Sequence, residues 1–160
     1  MSKDTEERPN LNAGFVIHEV ARLLRRDFDR RAKDLGLTQV QWRAISYLAR
    51  NEGLNQAALA DQLEVQPITL ARMIDRLAAA GWVERRPDPD DRRAQRLFLT
   101  EASAPLLERM RALAAETLDT AFTGLSDQTR KELVEGLCVM KNNLSEALPR
   151  NGASPKESHD

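Results

Sequence analysis

Between Gln66 and Thr100 the chain carries seven arginines against five acidic residues, and the placing of four of the arginines suggests what they could bind. Wound at about 3.6 residues per turn, Thr69, Arg72 and Arg76 fall on one side of a helix. Ala71, Ile74 and Ala78, flanked by Leu70 and Leu77, fall on the other. One face can pack while the other reaches into a groove. A planar guanidinium pairs two donors with the O6 and N7 acceptors of guanine or with a phosphate, so arginines on the free side suit nucleic-acid reading. Arg92 and Arg93 come at the tip of a second element. Trp82 to Arg86 and Gln95 to Leu99 are strand-compatible runs, and Pro87, Asp88, Pro89, Asp90 and Asp91 between them favour a turn. Guanidinium groups on such a tip suit a narrow minor groove, where negative potential concentrates. A solvated hairpin with incidental arginines is the plainer alternative, and the arginine-bearing helix that precedes it weighs against that.

The elements that must hold these residues can be read from end signals. Pro67 suits a first helical turn, where its missing N–H has no partner to lose, and Gly81 is placed to end the helix in a left-handed conformation. A short helix from about Gln56 to Leu63 precedes it, which gives a helix, a tight turn and a second helix, with the hairpin as a wing. Upstream, Ile17, Val20, Leu24 and Phe28 recur at helical spacing between Leu11 and Leu35, and Gly36 closes that helix. Thr38 and Gln41 form a capping-box pattern for a helix carrying Val40, Ala44, Ile45 and Leu48 to about Arg50. Downstream, Thr100 is expected to cap a long helix through Phe122 with Leu106, Leu107, Met110, Leu113 and Leu118, with Pro105 in its first turns. Ser126 should cap a last helix striped by Leu133, Leu137, Met140, Leu144 and Leu148. These outer stripes are too long for the small central region to cover, which is the sign of a partner.

The chain resembles the MarR family of bacterial transcription regulators, and within it the SlyA-like branch. The resemblance rests on the wing DDRRAQRLFLT (Asp90 to Thr100), the helix pattern Thr69, Arg72, Asp75 and Leu77, the junction Ala80, Gly81, Trp82 and Val83, and LTQVQW (Leu37 to Trp42). It extends over most of residues 11 to 148. It implies a mainly α fold with a small β-hairpin wing: a winged helix-turn-helix at 36–100, with 11–35 and 101–148 as interlocking helices of a homodimer. Residues 1–10 and 149–160 read as disordered tails. Two departures stand out, Glu64 where the turn commonly has glycine and Gln66 where serine often caps the recognition helix.

With wheel position, the resemblance assigns base or phosphate contact to Gln66, Thr69, Arg72 and Arg76. Arg72 is the candidate for bidentate guanine reading and Arg76 for a phosphate. In the wing, Arg93 aligns with the family's minor-groove arginine, Asp91 is expected to orient it through a charge-assisted hydrogen bond, and Arg92 to hold a phosphate. The implied partner is double-stranded DNA carrying a pseudo-palindromic operator. The resemblance also implies a repressor released by a small phenol or aromatic carboxylate bound between the dimer helices and the winged domain. Phe15, His18 and Arg22 on the first helix, with Trp42, Arg43 and Tyr47 on the second, could stack a ring and pair a carboxylate. A core or interface role for these six is the competing reading.

Composition bounds the alternatives. A formal charge of −1 over 160 residues does not mark a nucleic-acid binder, so affinity has to come from local arrangement and from pairing of subunits. The near-neutral balance leaves a winged-helix protein-interaction module open, as well as a ligand-free architectural or counter-silencing DNA binder. One cysteine, Cys138, forbids an intrachain disulfide, and its place beside an apolar stripe suggests an inert buried thiol. Two distant histidines offer no zinc ligand set, and no cofactor is expected. No nucleophile with an adjacent base, glycine-rich phosphate loop or paired-carboxylate pattern points to an enzyme. No run is apolar enough for a signal peptide or membrane span, which places the chain in the cytoplasm.

Overall fold

In the computed structural model, residues 9–148 are described, with side chains from Asn12 onward. Residues 1–8 and 149–160, read as tails, lie outside them, as does His159. Pro9 and Asn10 open the first helix, α1 (Pro9–Arg31). A single 3-10 turn, Ala32–Leu35, follows and ends at Gly36 with φ +67°. The capping box then forms as expected: Thr38 Oγ1 accepts the Gln41 amide at 3.3 Å, and Gln41 Oε1 accepts the Thr38 amide at 2.8 Å. It starts α2 (Gln39–Arg50). Asp29 ties α1 to α2, accepting from Gln39 Nε2 at 2.6 Å and Trp42 Nε1 at 2.5 Å.

Leu54–Asn55 is a two-residue strand, β1, that the sequence reading missed, because two residues carry no periodicity. It leads directly into α3 (Gln56–Leu63), which Asn55 caps by accepting the Ala57 amide at 2.8 Å. Then come α4 (Pro67–Ala79), β2 (Val83–Pro87) and β3 (Gln95–Leu99). The sheet is antiparallel in the order β1-β3-β2, with Leu54 opposite Leu97 and Arg85 opposite Leu97 on the other edge. Leu97 is fully buried at the middle of the central strand.

Thr100 does not cap a long α-helix with its side chain. A 3-10 turn, Glu101–Ser103, comes first, and Thr100 Oγ1 donates instead to the Gly81 carbonyl. The α-helix begins beyond it as α5 (Ala104–Ala121), which leaves Pro105 in the first turn where a missing N–H costs nothing.

One core gathers these elements. Ala44, Ile45 and Leu48 of α2, Leu59 and Leu63 of α3, Leu70, Met73, Ile74 and Leu77 of α4, and Val83 and Leu97 of the sheet are buried together, joined by Phe28, Ala32 and Met110. The packed side of α4 is therefore centred on Leu70, Met73, Ile74 and Leu77. Ala71 and Ala78, expected at its centre, are only half-buried at its margin.

The described chain forms two compact units that meet in sequence between Ala121 and Phe122, so α1, α5 and the 36–100 segment share the first. The second holds α6 (Asp127–Ala147), capped by Ser126 Oγ accepting the Thr129 amide at 3.2 Å. Arg130 donates to the Leu125 and Phe122 carbonyls and fixes the turn that leads in. α6 has no buried residue, and Leu133, Val134, Leu137, Met140 and Leu144 stand exposed along it. Cys138 is exposed too, contrary to the buried thiol expected, because no core reaches this helix within its unit. No described helix is long and apolar enough to cross a membrane.

Two positions carry stability predictions. Glu64, between α3 and α4, adopts φ +57°, a left-handed conformation that crowds any Cβ. Glu64→Gly should therefore stabilise the fold by about 0.5–1 kcal/mol, the relief of that crowding less the extra freedom glycine gains when unfolded. A raised denaturation midpoint checks this. Second, Asp27 on α1 is paired with Arg31 and Arg30, each at 2.6 Å, and Arg31 also reaches Glu116 of α5 at 2.8 Å. Hydrogen bonds from Arg31 and then Arg30 hold the Asp27 carboxyl down at about 2, against an ordinary 3.8. The unfolded chain thus binds this proton first, so the stabilisation is complete above pH 3.8 and is lost as pH falls through about 2. Wild type should lose more stability between pH 5 and pH 2.5 than Asp27→Asn, as read by urea midpoints, and equal losses would contradict the pairing.

Candidate nucleic-acid interface

The exposed side of α4 and the tip of the β2–β3 hairpin hold the residues singled out for nucleic acid. α4 begins at Pro67, and its N-cap Gln66 makes no side-chain capping bond, which leaves that amide side chain free. This is the physical consequence of glutamine at a serine position: the side chain is too long to fold back on the N3 amide efficiently. At the other end Gly81, φ +80°, donates to Ala78 O at 2.9 Å while Trp82 N donates to Leu77 O at 3.0 Å. That pair of bonds satisfies the last carbonyls and turns the chain directly into β2. Thr69, Arg72 and Arg76 are exposed on the helix between these ends.

Aspartates build the wing tip. Asp88 Oδ1 accepts the Asp90 amide at 2.8 Å, Asp88 N donates to Ala94 O at 3.1 Å, and Ala94 N donates to Asp91 O at 2.9 Å. Arg96 Nε anchors the nearly buried Asp88 carboxylate at 2.7 Å, and this hydrogen bond is the main cause holding the Asp88 carboxyl below its ordinary range. The expected role of Asp91 needs correction. Its Oδ1 accepts the backbone amide of Arg93 at 2.9 Å, not the guanidinium, because the tight turn brings the amide within reach of the short side chain. Asp91 therefore shapes the loop that carries Arg93.

The seven arginines of this region sort into two groups. Arg85 pairs with Asp75 at 2.7 Å and reaches Ala71 O and Gln56 Oε1, both at 3.3 Å, so it clamps β2 to α3 and α4. Arg86 pairs with Glu84 and lies over the Phe98 ring at 4.1 Å, and Arg96 pairs with Asp88 and Asp90. Four of the five acids are thus neutralised by three structural arginines. Arg72, Arg76, Arg92 and Arg93 have no ion pair among the described residues, and all four are exposed. A surface near neutral by count is locally cationic where those four stand. The clamp role of Arg85 went unread in the sequence, since Asp75 lies ten residues upstream and only the fold sets the two side by side.

Residues 37–94 match the model of the MarR family. A MarR transcriptional regulator from Methanosarcina mazei Go1 is 30% identical and superposes over 85% of this chain and 98% of its own, with a TM-score of 0.74. The chain belongs to the MarR family. Wild-type MarR in its apo form from E. coli is 26% identical over 85% of this MarR-family chain and 96% of that one, at a TM-score of 0.65. A MarR-family regulator from Silicibacter pomeroyi, 24% identical over 88% and 92% of the two chains at a TM-score of 0.71, has the same fold.

None of the clefts of about 810, 370 and 200 Å³ among the described residues of this MarR-family chain is lined by more than one of the six residues considered for a small ligand. Phe15 and His18 are exposed on α1, and Arg22 is paired with Glu19 at 2.6 Å. Arg43 and Tyr47 are half-buried on α2 and line none of these three clefts. Trp42 alone of the six lines a cleft of about 370 Å³, whose floor is Phe28, Trp42, Leu107 and Met110 and whose rim carries Arg25, Arg50 and Arg111. The Phe28 and Trp42 rings lie 4.3 Å apart between centroids. Arginines over an aromatic floor can take an aromatic anion. Sequence reading missed Arg25, Arg50 and Arg111 because they come from three helices that meet only in the fold. A larger cleft, about 810 Å³ along α1 and the end of α5, sets Arg26, Arg30 and Lys33 against Asp27 and Asp29, so its charge is largely balanced within it.

Proposed function

We propose that this MarR-family protein is a sequence-specific transcription regulator that binds double-stranded DNA as a homodimer in the cytoplasm. The sorting of the arginines supports this most directly: three are spent on acids inside the fold, and the four left unpaired are those on the recognition helix and wing tip. In this reading Gln66, Thr69 and Arg72 meet base edges in the major groove, Arg76 and Arg92 meet phosphates, and Arg93, on the loop shaped by Asp91, enters the minor groove. The 36–100 segment reads DNA, while 11–35 and 101–148 join the subunits. The exposed Phe15, Val16, Val20 and Leu23 on α1 and the exposed stripe of α6 support that division, since such faces need cover. Two subunits present two recognition helices, so the operator is pseudo-palindromic. Hydroxyl-radical footprinting on a duplex selected from a random library should show two protected half-sites about 10–10.5 base pairs apart, and unpatterned protection would argue for an architectural binder.

In the finer part of the proposal, the protein is a repressor of the SlyA-like branch, on the strength of the wing Asp90 to Thr100, and an aromatic carboxylate or phenol releases it. The cleft beside Trp42 is the better seat for that ligand than the set read from sequence, because three arginines line it together with the tilted Phe28 and Trp42 rings. Screening substituted benzoates and phenols for thermal stabilisation, then for loss of DNA binding, tests it. A compound that stabilises the protein and leaves DNA binding unchanged would separate the cleft from regulation.

A further inference from the structure

Ile68 is a large aliphatic side chain, 63% exposed, in the first turn of α4. Every other exposed large hydrophobic among the described residues lies in α1, in α5 or beyond it, on faces that have the length of subunit interfaces. Within 36–100 Ile68 stands alone. It does nothing for the core, since Leu70, Met73, Ile74 and Leu77 occupy the packed side and Ile68 points the opposite way. Nor does it favour the helix, because a β-branched residue lowers helix propensity. Its neighbours are the free amide of Gln66, the hydroxyl of Thr69 and, one turn on, Arg72. An isolated apolar group in that setting is too small for a protein-docking patch. It matches the one apolar feature on a major-groove base edge, the thymine C5-methyl.

We infer that Ile68 is a specificity residue that packs on a thymine methyl in each half-site. The inference rests on the DNA-binding reading above and names one base of the site. Side chains at i and i+4 lie about 5–6 Å apart on a helix and successive bases on a strand about 3.4 Å, so the thymine sits one or two steps from the base read by Arg72.

The test uses the full chain and a duplex selected from a random library by the wild-type protein. Each thymine of the site is replaced in turn by deoxyuridine, which removes only the methyl and keeps every hydrogen-bonding group. Wild type should bind about fourfold more weakly when the contacted methyl is lost from one half-site, the fold-change that corresponds to ~0.8 kcal/mol for one buried methyl-sized group. Ile68→Ala, which touches no core, should bind the unmodified site more weakly and show no further loss with uracil at that position. Equal uracil penalties in both proteins, or no uracil-sensitive position for wild type, would overturn the assignment while DNA binding stood. Absence of any selected site would overturn it together with the DNA-binding reading.

Discussion

Replacing Arg72 with alanine should weaken binding to the selected operator by about thirtyfold to about twenty-thousandfold, from ~1–3 kcal/mol at each of two half-sites. The affinity lost should be confined to the preferred sequence. Arg72 stands exposed in the middle of the free side of α4, without an ion pair among the described residues, so its guanidinium carries no structural duty that the substitution would remove. The fold should survive, and the thermal midpoint should move little. What distinguishes base reading from phosphate contact is the pattern across sequences. Competition against duplexes bearing all four base pairs at each position should show one position per half-site where discrimination collapses in Arg72→Ala. A uniform loss across all duplexes would make Arg72 a phosphate contact instead.

Arg93→Ala should lower operator affinity by at least about tenfold, the effect of losing one charge-assisted hydrogen bond of ~1.5 kcal/mol, while leaving the subunits associated. The wing is built to carry this residue. Asp88, anchored by Arg96, holds the amides of the turn, and Asp91 holds the Arg93 amide, so the guanidinium projects from a fixed loop without being used to make it. Removing it changes the tip and not the loop. Preference for narrow-grooved A·T flanks should fall along with affinity, because a narrow minor groove attracts an inserted arginine most strongly. Binding titrations with A·T and G·C flanks measure this, with sedimentation as the check on assembly. Unchanged affinity would remove the wing from the interface.

The local elements were legible wherever a chemical signal marked their ends. The Thr38–Gln41 box, Pro67, Gly81 and Ser126 each fixed a boundary that the structure reproduces. β1 was not legible, since two residues that pair with a strand forty residues away leave no local pattern. Nor was the loss of the expected cap at Thr100, whose hydroxyl has a better partner in the Gly81 carbonyl that the hairpin brings to it. For the site, the wheel placed Thr69, Arg72 and Arg76 on the free face, yet charge could only be counted along the chain. A count of seven against five cannot separate Arg85, Arg86 and Arg96, which the fold uses internally, from the arginines left over. A cleft shared by several helices was not legible either: α1 and α2 each show plausible faces alone, and only their packing with α5 reveals that Arg25, Arg50 and Arg111 share a cleft with Trp42.

Whether the unpaired arginines of α4 and the wing form a DNA-reading surface is most directly tested by binding to the gene's own upstream DNA and to a scrambled duplex across a salt series. The slope of log affinity against log salt counts the phosphates engaged, at about 0.9 per phosphate. The protein should prefer the upstream duplex with a steep slope, and the slope should become shallower by about two when Arg92→Ala removes one phosphate contact from each subunit. Absent binding, or a slope near zero, would contradict such a surface and point to a winged helix that docks on protein.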